Sequence, residues 1–351
     1  MSPRLTFAPW GESLAELVDV SRQAEAAGAE VVWAPEMHRS ATVSAAAVAA
    51  GTSTVGVGTA VALAFTRSPM VTALEAMDLD ELSGGRFVLG LGTGVQRVNE
   101  DWHNAQWGKP VAHLRETVQI IREFIKRCTD GEPIEIDGDF EHLRIKGYQR
   151  TYHRERDTIP IYLAGVGPMM LKLAGETAEG WISHELCSPS FVRGQVLPAI
   201  GDGLERGGRT RSDIELVVSA CAAVDADGAV ARRLAAGVVG FYATVRTYAD
   251  FFAFHGFADE QQRIGAEFRA GGTVAQKLGD LVPDAMVDAF TISGTPDDVR
   301  ASLAAYDGIV DAIKLSPPTS GLVPAQTRAA QQQLLGVVAD ITGGLAPSKK
   351  G

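Results

Sequence analysis

Short, almost wholly apolar runs alternate along this chain with segments of helical periodicity, and that alternation leaves few folds open. The runs are Arg4–Ala8, Glu30–Ala34, Val55–Val61, Arg86–Leu91, Pro160–Ala164, Gly180–His184, Ile214–Val224 and Val310–Ser316. They are apolar nearly throughout rather than at every second residue, the pattern of strands buried on both faces. The stretches between them carry helix signals. Ser13-Leu-Ala-Glu16 reads as a capping box, Leu14, Leu17, Val18 and Ala24 keep one face, and Gly28 suits the stop. Leu114, Val118, Ile121 and Ile125 mark the face of another helix. Thr295-Pro296-Asp297-Asp298 joins an N-cap, a first-turn proline and acids at the positive helix end.

Repeated β-then-α units mean parallel strands joined by helical crossovers. A doubly wound sheet and a closed barrel both fit that pattern. About eight units in 351 residues favour the (β/α)8 TIM barrel as a single α/β domain over 1–345, with residues 346–351 a frayed tail. Two stretches interrupt the rhythm, at about 129–157 and 243–288. The first contains strand and turn pieces around Asp137-Gly138, and the second is rich in aromatics, Tyr248, Phe251, Phe252, Phe254 and Phe257. Both read as loop insertions on the barrel. The aromatics either line an apolar substrate site or pack within the insertion.

The formal charge of −11 repels phosphate backbones and anionic lipid heads, so neither nucleic acid nor a membrane surface is expected as partner. No apolar run reaches the roughly 18 residues of a membrane helix. The opening MSPRLTFAPW lacks the basic and apolar regions of a secretory signal, and a cytoplasmic enzyme is expected. Cys128, Cys187 and Cys221 are far apart and form no CxxC, which reads as reduced thiols. No metal site is expected, because His184-Glu185 opens HExxS rather than HExxH.

Three segments carry chemistry. Gly90-Leu-Gly92-Thr-Gly94 follows a strand but is not a dinucleotide fingerprint, because Val95 or Arg97 stands where GxGxxG needs its third glycine. It is either a backbone approach to a ligand or a plain turn. Ala164-Gly165-Val166-Gly167-Pro168-Met169 opens a helix after a strand, where free N–H groups can hold phosphate. His38 follows the second strand, a position for a proton donor titrating near neutrality.

Together these segments resemble the luciferase-like monooxygenase family, and within it the oxidoreductases that use the deazaflavin coenzyme F420. The resemblance spans about residues 14–320. It rests on Ser21–Trp33, on the block from Gly58 to Gly94 with its SGGRFVLGLGTG, and on IPIYLAGVGPMMLKLAGETAEGW at Ile159–Trp181. It implies a non-prolyl cis peptide at Ala60-Val61 supporting the ring of the cofactor. It implies Thr93, Gly94 and Asn99 at the ring or ribityl chain, and Ala164, Gly165, Val166, Gly167, Pro168 and Met169 at the phosphate. Many deazaflavin members carry Asp-His after the second strand, whereas here it is Glu36-Met37-His38. Some members have a glutamate where Val95 stands, while Glu100 follows Asn99. The proton donor implied is therefore His38 first and Glu100 second. The activity implied is hydride transfer between F420 and a small, apolar organic substrate by a homodimer. The alternatives are an FMN-dependent two-component monooxygenase and a non-catalytic flavin-binding protein. A flavin-free, phosphate-binding isomerase would need an acid–base pair at strand ends, and none is visible.

Overall fold

The computed structural model describes residues 2–347, so most of the expected tail, Ser348–Gly351, lies outside the described residues. The strands are β1 (Arg4–Phe7), β2 (Val31–Ala34), β3 (Gly56–Thr59), β4 (Ala62–Leu63), β5 (Phe87–Gly92), β6 (Ile134–Asp137), β7 (His142–Ile145), β8 (Ile161–Ala164), β9 (Gly180–Ile182), β10 (Glu215–Val224), β11 (Ile292–Gly294) and β12 (Ala312–Ser316). Each of the eight apolar runs contains one of β1, β2, β3, β5, β8, β9, β10 and β12. In the sheet order these eight follow one another, with β9 also pairing β10, and form the expected closed parallel (β/α) barrel.

The Cα packing resolves two compact units. One comprises Val31–Ile182 and Val196–Leu216. Its parallel strands run β2-β3-β5-β8-β9. Four helices cross between or follow these strands: α2 (Ala41–Gly51), α3 (Pro69–Ser83), α4 (Pro110–Arg127) and α5 (Pro168–Thr177). Trp33, Phe87, Leu89, Leu91, Leu163 and Trp181 are almost wholly removed from water. Gly58 makes that packing possible, since a Cβ there would stand 2.4 Å from the Trp33 indole. The insertion after α4 carries the antiparallel hairpin β6–β7, in which Asp137 opposes His142. The Glu116 carboxylate on α4 accepts the N–H groups of Asp139, Phe140 and Glu141, which satisfies the tip of that hairpin.

The other unit comprises the chain up to Glu30, Ser183–Gln195 and the chain from Val217. Here β1 pairs β12, β12 pairs β10, and β10 pairs β11, all in parallel. Helix α1 (Leu14–Ala26) starts at Ser13, whose Oγ accepts the Glu16 N–H at 3.1 Å. The other half of the expected box differs. Glu16 takes the Glu12 N–H, at 2.9 Å, because its carboxylate is also drawn to Arg328. Thr295 and Asp298 do form the reciprocal box. The second insertion is helical, with Ala249–Phe254 and Ala258–Arg269 as its main pieces, and is not a loop. Phe251 and Phe252 are buried, packing on Phe191, His255 and Phe290. These aromatics thus hold the insertion down. All three cysteines are free and buried. Among the described residues no helix is long and apolar enough to cross a membrane.

Candidate cofactor site

Strand β3 ends at Thr59, and the next peptide but one, Ala60-Val61, is cis, as the resemblance implies. The chain then re-joins the sheet as β4, with Ala62 opposite Leu91 and Leu63 opposite Gly92. Thr59 is the anchor before this bulge. Its Oγ1 donates to the Gly90 carbonyl at 2.7 Å and accepts the Gly90 N–H at 2.9 Å. A Cβ at position 90 would lie 1.9 Å from the Thr59 carbonyl oxygen, and one at position 92 would lie 2.6 Å from Val61 Cγ2. Two of the three glycines in GLGTG therefore serve the approach of the neighbouring strand and bulge. Only Gly94, with φ of +64°, makes the turn itself.

A second device holds the bulge, and the sequence reading missed it. The Glu36 carboxylate, just after β2, accepts the Leu63 N–H at 2.7 Å and pairs in two-pronged fashion with the Arg67 guanidinium. Arg67 Nε also lies 3.5 Å from Glu75 Oε2 on α3. Burial would push Glu36 up, but the Arg67 guanidinium and the Leu63 and Ala41 N–H groups outweigh it and hold the carboxyl below its ordinary value. Glu75 moves the other way. Burial raises it, and the Glu36 charge adds to the rise against the pull of Arg67. Charge is thus concentrated on Glu36 and Arg67. The available signal was Arg67 within the block from Gly58 to Gly94, facing an acid at the end of the adjacent strand.

His38 stands exposed between β2 and α2, two residues before Ser40, whose hydroxyl caps α2. Glu100 is exposed on the π-helical turn Val98–Trp102, where its Oε2 accepts from Gln96 Nε2 at 3.0 Å. No hydrogen bond or ion pair joins His38 to Glu100 among the described residues. Asn99, which precedes Glu100, is wholly buried. Its Nδ2 donates to the carbonyls of Thr93 and Val95, at 2.8 and 3.0 Å, which fixes the turn. Its Oδ1 is buried with no partner. A buried acceptor without a donor is costly, so this atom is the place where a bound group with an N–H or O–H would be gained.

The last piece is the start of α5. Gly167 is its N-cap and offers no side chain, and Pro168 is its first residue. The Val166, Gly167 and Met169 N–H groups make no hydrogen bond among the described residues, and Gly167 to Met169 are exposed. Trp181 Nε1 donates to the Gly165 carbonyl at 2.9 Å and turns that oxygen away from the helix start. Uncapped N–H groups with the helix dipole behind them suit a phosphate. The unpartnered Asn99 oxygen and this uncapped helix start fit a phosphorylated flavin or deazaflavin, which carries ring N–H, hydroxyl and phosphate groups.

The comparisons with known proteins agree with this architecture. A family model described as luciferase-like monooxygenase matches residues 3–311. The 5,10-methylenetetrahydromethanopterin reductase of Methanolobus tindarius is 30% identical over 302 residues, covering 85% of this chain and 88% of that protein. The coenzyme F420 dependent tetrahydromethanopterin reductase of Methanopyrus kandleri shares the fold with a TM-score of 0.80 at 22% identity, over 96% of this chain and 97% of that one. The oxygenating constituent of 3,6-diketocamphane monooxygenase from Pseudomonas putida, solved with FMN, shares it with a TM-score of 0.68 at 17% identity, over 99% of each chain. The matched span and the relative's identity place this chain in the luciferase-like monooxygenase family.

Proposed function

We propose that this protein is an oxidoreductase that transfers a hydride between coenzyme F420 and a small organic substrate. The observation that carries the reading is the buried, unpartnered Asn99 Oδ1 beside the Gly94 turn. The 30% identity over 323 residues to a putative coenzyme F420-dependent oxidoreductase of Mycobacterium tuberculosis supports the deazaflavin over other flavins. When bound, the deazaflavin supplies the hydride or accepts it. The chain's share is orientation, exclusion of water and one proton. In this reading Thr93, Gly94 and Asn99 orient the ring and ribityl chain, and the Ala60-Val61 bulge supports the ring. Residues Ala164 to Met169 hold the phosphate at the start of α5. His38 donates the proton, with Glu100 as second candidate, both exposed to an incoming substrate. The active form is a homodimer, which light scattering of the purified protein checks.

One observation favours a second reading. Val95 stands where some deazaflavin members carry a glutamate, and an FMN-bound monooxygenase shares the fold. A side-by-side titration with F420 and FMN decides. Micromolar or tighter F420 binding is expected. FMN binding with oxygen uptake and no F420 affinity retires the proposal. Replacing His38 by Ala is expected to slow turnover at least 100-fold with the melting temperature unchanged, within the range for removing a general acid.

A further inference from the structure

A second set of polar side chains gathers in the unit that contains β1, β10 and β12, and it includes no residue assigned above. Strands β10 and β12 pair with Ser219 opposite Lys314 and Cys221 opposite Ser316. Residues two apart on a strand share a face, and opposed residues of neighbouring strands project the same way. Ser219, Cys221, Lys314 and Ser316 therefore form one patch. The segment after β9 is laid along it. Ser183 Oγ accepts the Ser219 N–H at 2.7 Å, and Leu186 bridges Ala220. His184 follows, its ring centroid 4.0 Å from that of Tyr242 and 4.1 Å from that of Tyr248.

Several donors of this patch have no acceptor within reach. Lys314 is 5% exposed, yet its ammonium makes no hydrogen bond and no ion pair among the described residues. Burial pulls the Lys314 amine below the ordinary lysine value, against the Glu185 carboxylate, which favours the charged form from beyond ion-pair distance. His184 Nε2, Ser219 Oγ and Ser316 Oγ are sealed from solvent with no partner. The His184 tautomer follows from its other nitrogen. The Leu186 N–H points at Nδ1, at 3.3 Å, so Nδ1 is the acceptor and Nε2 carries the proton. Burial first, and the Lys314 charge second, keep the ring neutral. Burial likewise suppresses ionisation of Cys221, Tyr242 and Tyr248.

Three polar groups withdrawn from water without partners, beside a buried lysine, are expensive for the fold. Nothing in β12 requires them, since Ala312, Ile313 and Leu315 beside Lys314 are ordinary core residues. The complement they lack is a group with several lone pairs at hydrogen-bond distance, with a flat apolar body against the His184, Tyr242 and Tyr248 rings, and the Lys314 amine favours an anionic one. A carboxylate offers about four lone-pair positions, whereas a single carbonyl offers two. We propose that Lys314, His184, Ser219 and Ser316 form a recess that binds the carboxylate of a small aromatic acid. The recess stands on its own residues and does not depend on which cofactor the protein uses.

Calorimetric titration of the full chain without cofactor, with benzoate and with benzamide as probes, tests it. Benzoate is expected to bind saturably and at least 10-fold more tightly than benzamide. Lys314→Met should lower benzoate affinity at least 10-fold, leave benzamide unchanged and raise the melting temperature. Ser316→Ala, which removes one hydroxyl, should weaken benzoate about 5-fold and keeps the test usable if the lysine variant misfolds. Equal affinity for the two probes, or undiminished benzoate binding in the variants, overturns the proposal. Failure here leaves the F420 titration untouched, and the reverse also holds.

Discussion

The Glu36 carboxylate accepts the Leu63 backbone N–H at 2.7 Å and so fastens the end of β2 to the strand fragment that follows the Ala60-Val61 cis peptide. The same carboxylate holds Arg67, so one side chain ties together three points of the chain around the bulge. Loss of either partner should therefore be felt both in stability and in cofactor affinity.

Arg67→Met leaves Glu36 nearly buried and unpaired. It should cost about 3 kcal/mol, the lower end for removing one partner of a buried pair. Glu36→Gln/Arg67→Met should recover part of that loss, because no charge then remains stranded. Urea denaturation of the two single variants and the double checks this. Strict additivity would mean that the two groups do not interact.

Glu36 also sets an acid limit. Its folded value lies below that of an unfolded chain, roughly 4.3. Its contribution is thus complete above that pH and lost as pH falls through the folded value. Glu36→Gln should flatten the stability curve between about pH 5 and 3 relative to wild type. Parallel curves would contradict the assignment.

His184 acts at a higher pH. Burial, with the Lys314 charge adding to it, pushes its imidazole down to about 3. The unfolded ring takes up a proton near 6.5. The folded state cannot follow, so stability is intact above about pH 6.5 and declines as pH falls toward 3. At pH 5 the loss relative to pH 7.5 is about 2 kcal/mol. His184→Phe keeps a flat ring between the tyrosines and should remove that part of the decline in urea midpoint. An unchanged decline would mean that the imidazole accepts a proton in the folded protein.

Gly92→Ala would place a Cβ 2.6 Å from Val61 Cγ2. Val61 must then shift, and F420 affinity should fall at least 10-fold. Gly336→Ala is the control, because a Cβ there meets nothing within 4 Å on the helix Pro324–Thr342. It should stabilise by about 1 kcal/mol, the gain of alanine over glycine in a helix, and leave binding alone. Fluorescence titration reads both variants, and equal affinity in the two would separate the bulge from the cofactor.

Asn99→Leu removes both the donor that holds the Thr93 and Val95 carbonyls and the unpartnered Oδ1 acceptor. A stability loss of about 2 kcal/mol is expected from the two stranded carbonyls. Cofactor affinity should fall further than in Gly92→Ala. Wild-type affinity in this variant would remove Asn99 from the site.

The eight strands and the helix starts were legible in the sequence because their causes are local. A run such as VGVGTAV or RFVLGL states its own burial, and Thr295 finds Asp298 three residues away. The cis bond at Ala60-Val61 was legible only through resemblance, since nothing in those two residues demands it. The roles of Gly90 and Gly92 were left open between a ligand approach and a plain turn, because the atoms they make room for belong to Thr59 and Val61, some thirty positions earlier in the chain. Glu36 with Arg67, and His184 with Lys314, belong to the tertiary structure alone. Each pair joins residues distant in sequence. Their energies come from removal from water, which is a property of the packed strands rather than of any segment.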